Sequence, residues 1–223
     1  MTTTKKIIVR LACATVLGTA GVALTQVNIP QTAVVNAATT SVAARALGVD
    51  VASYQNADLS SHAQAGAQFA IVKVSEGTSY RNPKASSQIS TALSNNMMPM
   101  AYHFATFSSN ASAAAAEANY AVQAAQAFGL PKGSYIACDY ETGSGNNIYG
   151  GKTPTANAII AFMDTIKNAG YKPLLYASSS VLQNNIDTNS VIAKYPNSLW
   201  VASYAISGRI DSPNFNYLSL IHI

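Results

Sequence analysis

The sequence predicts an α/β protein of one domain whose parallel strands close into a barrel. Apolar runs of the β type alternate with helical or loop segments, which is the order of a parallel sheet with helical crossovers. Most of these runs end in polar or aromatic residues, and catalytic groups of (β/α) barrels collect at the carboxyl ends of the strands. The motifs G-x-G-x-x-G and G-x-x-x-x-G-K-[ST] do not occur, which removes the main reason to prefer an open nucleotide-binding sheet.

The first 37 residues have the features of a secretory signal peptide. Lys5 and Lys6 precede an apolar stretch over residues 7–24, and the small-x-small signal VNA places the start of the mature chain near Ala38 or Thr39. This pattern predicts a secreted, cell-wall-associated protein. Arg10 interrupts the apolar stretch and leaves it shorter than a bilayer requires, so no stable membrane anchor is expected.

Removal of the leader leaves 186 of the 223 residues and an almost neutral chain. Three of the thirteen Lys and Arg residues lie in the leader and all nine acids follow it, so the mature net charge is about +1. No basic run remains, which argues against a nucleic acid partner. Cys138 is the one cysteine of the mature chain, so stability has to come from a packed core rather than from an internal disulfide. A monomer is expected.

Six strands and two long helices account for most of the mature chain, after a flexible N-terminal segment over residues 38–45. The candidate strands span residues 46–52, 69–75, 98–105, 135–141, 172–178 and 198–204. One helix is expected over 109–129, capped by Asn110 or Ser112, because the segment is rich in alanine. A second is expected over 153–170, where apolar residues recur at helical spacing; Thr153 or Thr155 is its expected N-cap and Gly170 its end.

The fourth strand, YIACDYE, carries two acids, Asp139 and Glu141, two residues apart. Strand side chains alternate between faces, so both acids are expected on one face, with Cys138 and Tyr140 on the other. Two neighbouring carboxyls cannot both ionise at their ordinary pKa values, so one can serve as a proton donor while the other is an anion. The first strand, GVDVASYQ, places a third acid, Asp50, on the face opposite Val49 and Val51, inside the barrel.

Five segments in a fixed order resemble the glycoside hydrolase family 25 lysozymes, the cell-wall muramidases of bacteria and phages. They are GVDVASYQ, FAIVKVSEG, MPMAYHFA, YIACDYE and SLWVASY, and the resemblance covers roughly residues 46–205. It implies an irregular TIM-like α/β barrel over residues 46–223. It also implies cleavage of the β-1,4 bond between N-acetylmuramic acid and N-acetylglucosamine, so that peptidoglycan glycan strands are the expected partner.

The same resemblance assigns roles to individual residues. Glu141 matches the general acid, whose pKa we expect to be raised by Asp139, by Asp50 and by burial. Asp139 matches the partner acid, which either orients the 2-acetamido group of the substrate or stabilises positive charge at the sugar carbon. Asp50 lines the same cleft. The aromatic residues that look suited to sugar rings are Tyr102, Tyr176, Trp200 and Tyr204.

Lys73 and Glu76, at the end of the second strand, are interpreted as an ion pair at the barrel mouth that either is structural or orients the substrate. His103 is interpreted as a hydrogen-bonded strand histidine. No H-x-x-x-H or other metal-ligand spacing occurs, so neither a metal nor another cofactor is expected.

Three questions stay open at this point. A retaining course with assistance by the substrate acetamide is favoured, but carboxyls at i and i+2 fit neither the retaining nor the inverting separation closely. A chitinase-like or endo-β-N-acetylglucosaminidase specificity is the alternative on the same fold. The chain also ends at NFNYLSLIHI, without the W-Q-Y strand and further aspartate usual in family 25, and Asp211 is its only late acid. A missing or altered last strand, and a catalytically impaired wall-binding protein, are therefore expectations to test.

Overall fold

The computed structural model describes residues 41–43 and 46–202 of the 223-residue chain. The leader, most of segment 38–45, Tyr204 and the unusual end of the chain lie outside the described residues. Seven strands in the described part form one sheet. They are β1 (Gly48–Val51), β2 (Phe69–Glu76), β3 (Tyr80–Arg81), β4 (Met98–Phe104), β5 (Tyr135–Asp139), β6 (Lys172–Ser178) and β7 (Leu199–Ala202).

The strand order confirms the predicted α/β architecture. Six strands are parallel and lie side by side in the order in which they occur along the chain, β1-β2-β4-β5-β6-β7, while β3 pairs antiparallel with β2. Because every crossover leads to the neighbouring strand on the same side, the sheet curls into a half-barrel. All six predicted strands are present, with ends within two residues of those expected.

Six helices connect the strands in the described part of the chain. They are α1 (Ser60–Gln64), α2 (Ala85–Ser94), α3 (Ala111–Ala127), α4 (Lys152–Asn168), α5 (Ser179–Asn184) and α6 (Thr188–Lys194). None of them is both long enough and apolar enough to cross a membrane.

The two long helices test the predicted caps. Asn110 caps α3 as expected, since its side chain accepts from the N–H of Ala113. The expected threonine cap of α4 is wrong: the helix starts at Lys152 after Gly151, and Thr155 lies buried within its first turn. Gly170, at φ 83°, ends α4 in the left-handed conformation that favours glycine.

The sheet has an outer face covered by helices and an inner, concave face. On the outer face, fully buried alanines of α3 allow the helix to pack closely on the sheet and on α4. The inner face has a smaller apolar floor made of Ile71, Met98, Met100, Ala137, Leu174 and Trp200. Cross-strand neighbours in a parallel sheet share a face, so the register extends this inner face through Phe104, Asp139, Tyr176 and Trp200 as one row across β4 to β7.

Candidate active site

The carboxyl end of β5 places its two acids on the inner face, as the alternation predicts. Cys138 and Tyr140 are fully buried in the outer layer. The N–H of Tyr140 donates to the carbonyl of Tyr176 at 2.9 Å, so pairing continues one residue past the strand. Asp139 and the half-buried Glu141 therefore leave the sheet on the concave side.

Asp50 joins this pair from the first strand. Its Cα partner is Ile71, which belongs to the inner floor, so Asp50 faces the same concavity. Burial among the surrounding atoms and repulsion by Glu141 raise the pKa of Asp50 to about 6, although its carboxyl remains open to solvent. Lys73 acts in the opposite direction.

Asp139 is the most perturbed acid of the three. Its residue is 6% exposed, and its Oδ1 has no hydrogen-bond partner among the described residues. Burial, followed by the charges of Glu141 and Asp50, raises the pKa of Asp139 to about 8. These surroundings therefore favour the protonated form of the Asp139 carboxyl in the free protein.

Burial alone raises the pKa of Glu141, and the charge of Lys73 acts in the opposite direction. Contrary to expectation, Asp139 and Asp50 are not among the causes that raise the pKa of Glu141. The charge of Glu141 instead raises the pKa of both aspartates. The mouth thus contains three carboxyls whose pKa values are all raised, which opposes the ionisation of all three together.

Lys73 and Glu76 form the predicted ion pair, with Nζ and Oε2 2.6 Å apart. Two side chains three residues apart on a regular strand would point to opposite faces. The register between β2 and β4 shifts between Lys73 and Ser75, so a β-bulge adds one residue and returns Glu76 to the inner face. Burial raises the pKa of Glu76, but hydrogen bonds from Lys73 and Ser144 outweigh it and leave the pKa below its ordinary value.

The predicted aromatic residues differ in their exposure to solvent. Burial and the charges of Asp50, Asp139 and Glu141 raise the pKa of Tyr102, so its hydroxyl stays protonated among the acids. Tyr176 is half-buried and meets the Trp200 ring edge-on at a centroid distance of 4.5 Å. Trp200 is only 9% exposed, so it lies in the floor of the concavity rather than on its rim.

The loop after β5 supplies residues that the sequence analysis missed. The buried Asn146 donates through Nδ2 to the carbonyl of Glu141 at 2.8 Å, and its Oδ1 accepts from the N–H of Ser108 at 2.8 Å. Ser144 donates to the second oxygen of Glu76 and has a φ of 48° between two glycines that also have positive φ. The G-S-G-N pattern over residues 143–146, one residue after the acid pair, is the sequence signal for a defined turn.

Within the described ranges, no cluster of three or more His, Cys, Asp or Glu side chains is suited to a metal ion. His103 is on the outer face, hydrogen-bonded between Ser75 and Glu117. Among the described residues, the groups at the mouth that can carry chemistry are the carboxyls, Lys73 and Tyr102.

Comparison with known proteins places this arrangement among cell-wall hydrolases. The family model described as "Glycosyl hydrolases family 25" matches residues 49–219. The lysozyme of Lactococcus phage mv1 is 40% identical over 172 residues, which cover 76% of this chain and 84% of that protein. The D-alanyl-L-alanine endopeptidase of Streptococcus phage B30 is 39% identical over 160 residues, which cover 70% of this chain.

A solved structure shows the same fold. The modular Cpl-1 endolysin, crystallised with a peptidoglycan analogue, superimposes with a TM-score of 0.64 at 31% identity, over 77% of this chain. The present chain spans only 47% of that endolysin and 33% of the phage B30 protein, so both relatives contain further sequence beyond the matched part.

Proposed function

Because this chain belongs to the glycosyl hydrolases of family 25, we propose that it is a secreted lysozyme that cleaves peptidoglycan between N-acetylmuramic acid and N-acetylglucosamine. The observation that supports this proposal is the set of three carboxyls at one barrel mouth, from β1 and from the end of β5, whose pKa values are all raised. A glycosidase requires one protonated and one ionised carboxyl at the same pH, and unequal surroundings supply both.

In the proposed reaction, Glu141 donates its proton to the leaving glycosidic oxygen. The acetamide oxygen of the substrate attacks the anomeric carbon as the glycosidic bond breaks, and Asp139 orients that acetamide. The unpartnered Oδ1 of Asp139 is a buried acceptor without a donor, and the acetamide N–H would provide one. Water then opens the cyclic intermediate, with Glu141 as the base, and the anomeric configuration is retained.

This sequence of events accounts for the proton on Asp139 in the free protein. A hydrogen bond from the acetamide N–H favours the ionised form of Asp139 and lowers its pKa. The proton that Asp139 releases would be taken up by Glu141, so that the pair keeps a single negative charge and the repulsion between two carboxylates is avoided. Substrate binding would thus protonate the general acid. Lys73, Tyr102 and Asp50 would bind the sugar in the mouth.

Product analysis tests the specificity and the stereochemical course. We expect purified protein to release muropeptides whose reduced ends are muramitol by mass spectrometry, and NMR to detect the β-anomer first. Glucosaminitol ends would replace the proposed specificity with that of a glucosaminidase, and initial inversion would refute acetamide assistance. Wall binding without release of soluble fragments would identify an impaired wall-binding protein instead.

A substitution tests the role of the general acid. Glu141→Gln should lower the rate of peptidoglycan solubilisation by about 100- to 10,000-fold, the range typical of a lost general acid. Asp164→Asn, a carboxyl-to-amide change on the exposed side of α4, is the matched control and should keep the wild-type rate. Equal rates for Glu141→Gln and the control would remove Glu141 from the mechanism.

We also propose that residues 1–37 direct export. The basic residues, the apolar stretch and the cleavage signal support this assignment. N-terminal sequencing of protein recovered from the culture medium should begin at Ala38 or Thr39. Recovery of an intact N-terminus from the cell fraction alone would contradict it.

A further inference from the structure

The outer face of the sheet, directly behind the mouth, contains a chain of hydrogen bonds that the proposed reaction does not use. Ser75 Oγ lies 2.8 Å from His103 Nδ1, and His103 Nε2 lies 2.9 Å from Glu117 Oε2. The backbone N–H of Thr106 donates to the same carboxylate at 2.9 Å, and its hydroxyl donates at 2.6 Å. The chain of contacts therefore connects β2, β4 and α3.

The donors and acceptors in this network can be assigned. Burial raises the pKa of Glu117, but the hydrogen bonds from His103 and Thr106 outweigh it, so the pKa is below its ordinary value and Glu117 is a carboxylate. Burial lowers the pKa of His103 and keeps the ring neutral, with one N–H. Since a carboxylate can only accept, that N–H is on Nε2, and Nδ1 accepts from the hydroxyl of Ser75.

The order Ser–His–Glu is also that of a nucleophilic triad, but these residues cannot act as one. Ser75 and His103 are both 0% exposed, and Glu117 is 4% exposed. No substrate can reach the hydroxyl of Ser75 between the sheet and its covering helices. The network must act through the elements that it connects.

The element that it connects to the mouth is the bulge of β2. Ser75 is the residue at which the register resumes after the bulge, and its Cα partner is His103. On the other side of the bulge, Asn82 donates two hydrogen bonds to backbone carbonyls. Its Nδ2 donates to the carbonyl of Lys73 at 2.9 Å, and its backbone N–H donates to the carbonyl of Val74 at 3.2 Å. The bulge is thus fixed from both sides, and it is the bulge that gives Lys73 and Glu76 a common face.

Resting on the proposed function, we propose that Ser75, His103 and Glu117 are positioning residues of the active site, which hold the β2 bulge so that Lys73 stays beside the three acids. Lys73 is the cation that opposes the raised pKa values of Asp50, Asp139 and Glu141. Its own anchors are Glu76 at 2.6 Å and the Phe104 ring at 4.9 Å. Both anchors depend on the register that the network fixes.

The test measures the carboxyl titrations directly and needs no substrate. Side-chain ¹³C NMR on the labelled full-length mature protein follows Asp50, Asp139 and Glu141 in the wild type and in Ser75→Ala. We expect Ser75→Ala to raise the pKa of Asp139 by about half a unit or more, because Lys73 lowers that pKa and a neighbouring opposite charge shifts a carboxyl by about one to three units. Asp164, whose partners are Lys194 and Tyr195, is the internal control and should titrate as before.

Two further variants separate positioning from stability. Cys138→Ala changes a buried outer-face residue that is the Cα partner of His103 but has no part in the network. It should lower the thermal midpoint without moving the titrations. Thr106→Val removes one donor to Glu117 at nearly constant shape, and it should shift Asp139 in the same direction as Ser75→Ala; it decides the question if Ser75→Ala does not fold.

A double variant shows whether the effect passes through Lys73. In the Lys73→Met background, Ser75→Ala should no longer move the pKa of Asp139. Unchanged titrations in Ser75→Ala and Thr106→Val, or a shift that persists without Lys73, would overturn the inference. Failure of the proposed function would appear differently, as a wild-type protein that does not solubilise peptidoglycan although its carboxyls titrate as described.

Discussion

Two buried carboxyls, one on each side of the same sheet, have pKa values shifted in opposite directions. Glu117 on the outer face and Asp139 on the inner face are 4% and 6% exposed. Glu117 accepts three hydrogen bonds and its pKa lies below the ordinary value, whereas Oδ1 of Asp139 has no partner among the described residues and its pKa is about 8. Burial alone therefore does not determine the pKa of an acid in this protein; the number of hydrogen-bond donors around it does.

The largest expected effect is on activity and comes from substitution of Asp139, the acid on the inner face. Asp139→Asn keeps the shape of the side chain but cannot form the anion that we propose orients the acetamide, so kcat should fall by about 100- to 10,000-fold. The rate of muropeptide release measures this, with Asp164→Asn as the matched control. An Asp139→Asn protein as active as the control would show that the unpartnered acid has no part in the reaction.

The next largest effect is on stability and comes from substitution of Glu117, the acid on the outer side of the sheet. Glu117→Ala leaves His103 and Thr106 without their acceptor in a buried site, which should lower the free energy of unfolding by about 3 kcal/mol. Asn119→Ala, on the exposed side of the same helix, should change it by less than about 0.5 kcal/mol. Urea unfolding followed by circular dichroism measures both. A loss of similar size in the two variants would show that the network contributes no stability.

The two acids should also give the protein opposite dependences on pH. The pKa of Asp139 is higher in the folded than in the unfolded state, so its contribution to stability is complete below about pH 4 and is lost as the pH rises towards 8. The contribution of Glu117 is present above the unfolded pKa and is lost as the pH falls. At pH 8, the free energy of unfolding of Asp139→Asn should therefore exceed that of the wild type by about 5 kcal/mol, because the pKa rises from 3.8 to about 8 and each unit corresponds to about 1.4 kcal/mol. At pH 4 the two proteins should be equal, and a constant difference across this range would contradict the assignment.

The smallest effect sharpens the comparison with a third, exposed carboxyl. Asp164 pairs with Lys194 at 2.7 Å, and both side chains are more than a third exposed. Lys194→Ala should change the free energy of unfolding by less than about 1 kcal/mol, and the change should vanish in about 1 M salt because exposed charges are screened. A larger, salt-independent loss would mean that solvent exposure is a poor guide to the value of an ion pair in this protein.

The sequence predicted the strands and the faces of their acids because period-two alternation is local and strong. Asp50, Asp139 and Glu141 are on the inner face for that reason. The β2 bulge has no comparable signal: FAIVKVSEG carries no glycine or proline within the strand, and only the pairing with β4 shows the additional residue. Solvent exposure was equally hard to predict. Trp200 is of a residue type that commonly stacks on sugar rings, but its ring is buried against that of Tyr176. Helix α2 and the turn around Ser144 were not predicted, because tertiary contacts rather than propensity define them.

The bulge also sets which changes of length β2 can absorb. Val74 and Ser75 both face the helices, so the strand contains one residue more than the alternation needs. Deletion of Val74 would restore a regular strand and leave Lys73 and Glu76 on the same face, two residues apart. Insertion of a residue would turn the carboxylate of Glu76 into the alanine-rich outer layer. In an evolving or engineered lineage, this strand can therefore become shorter by one residue but not longer.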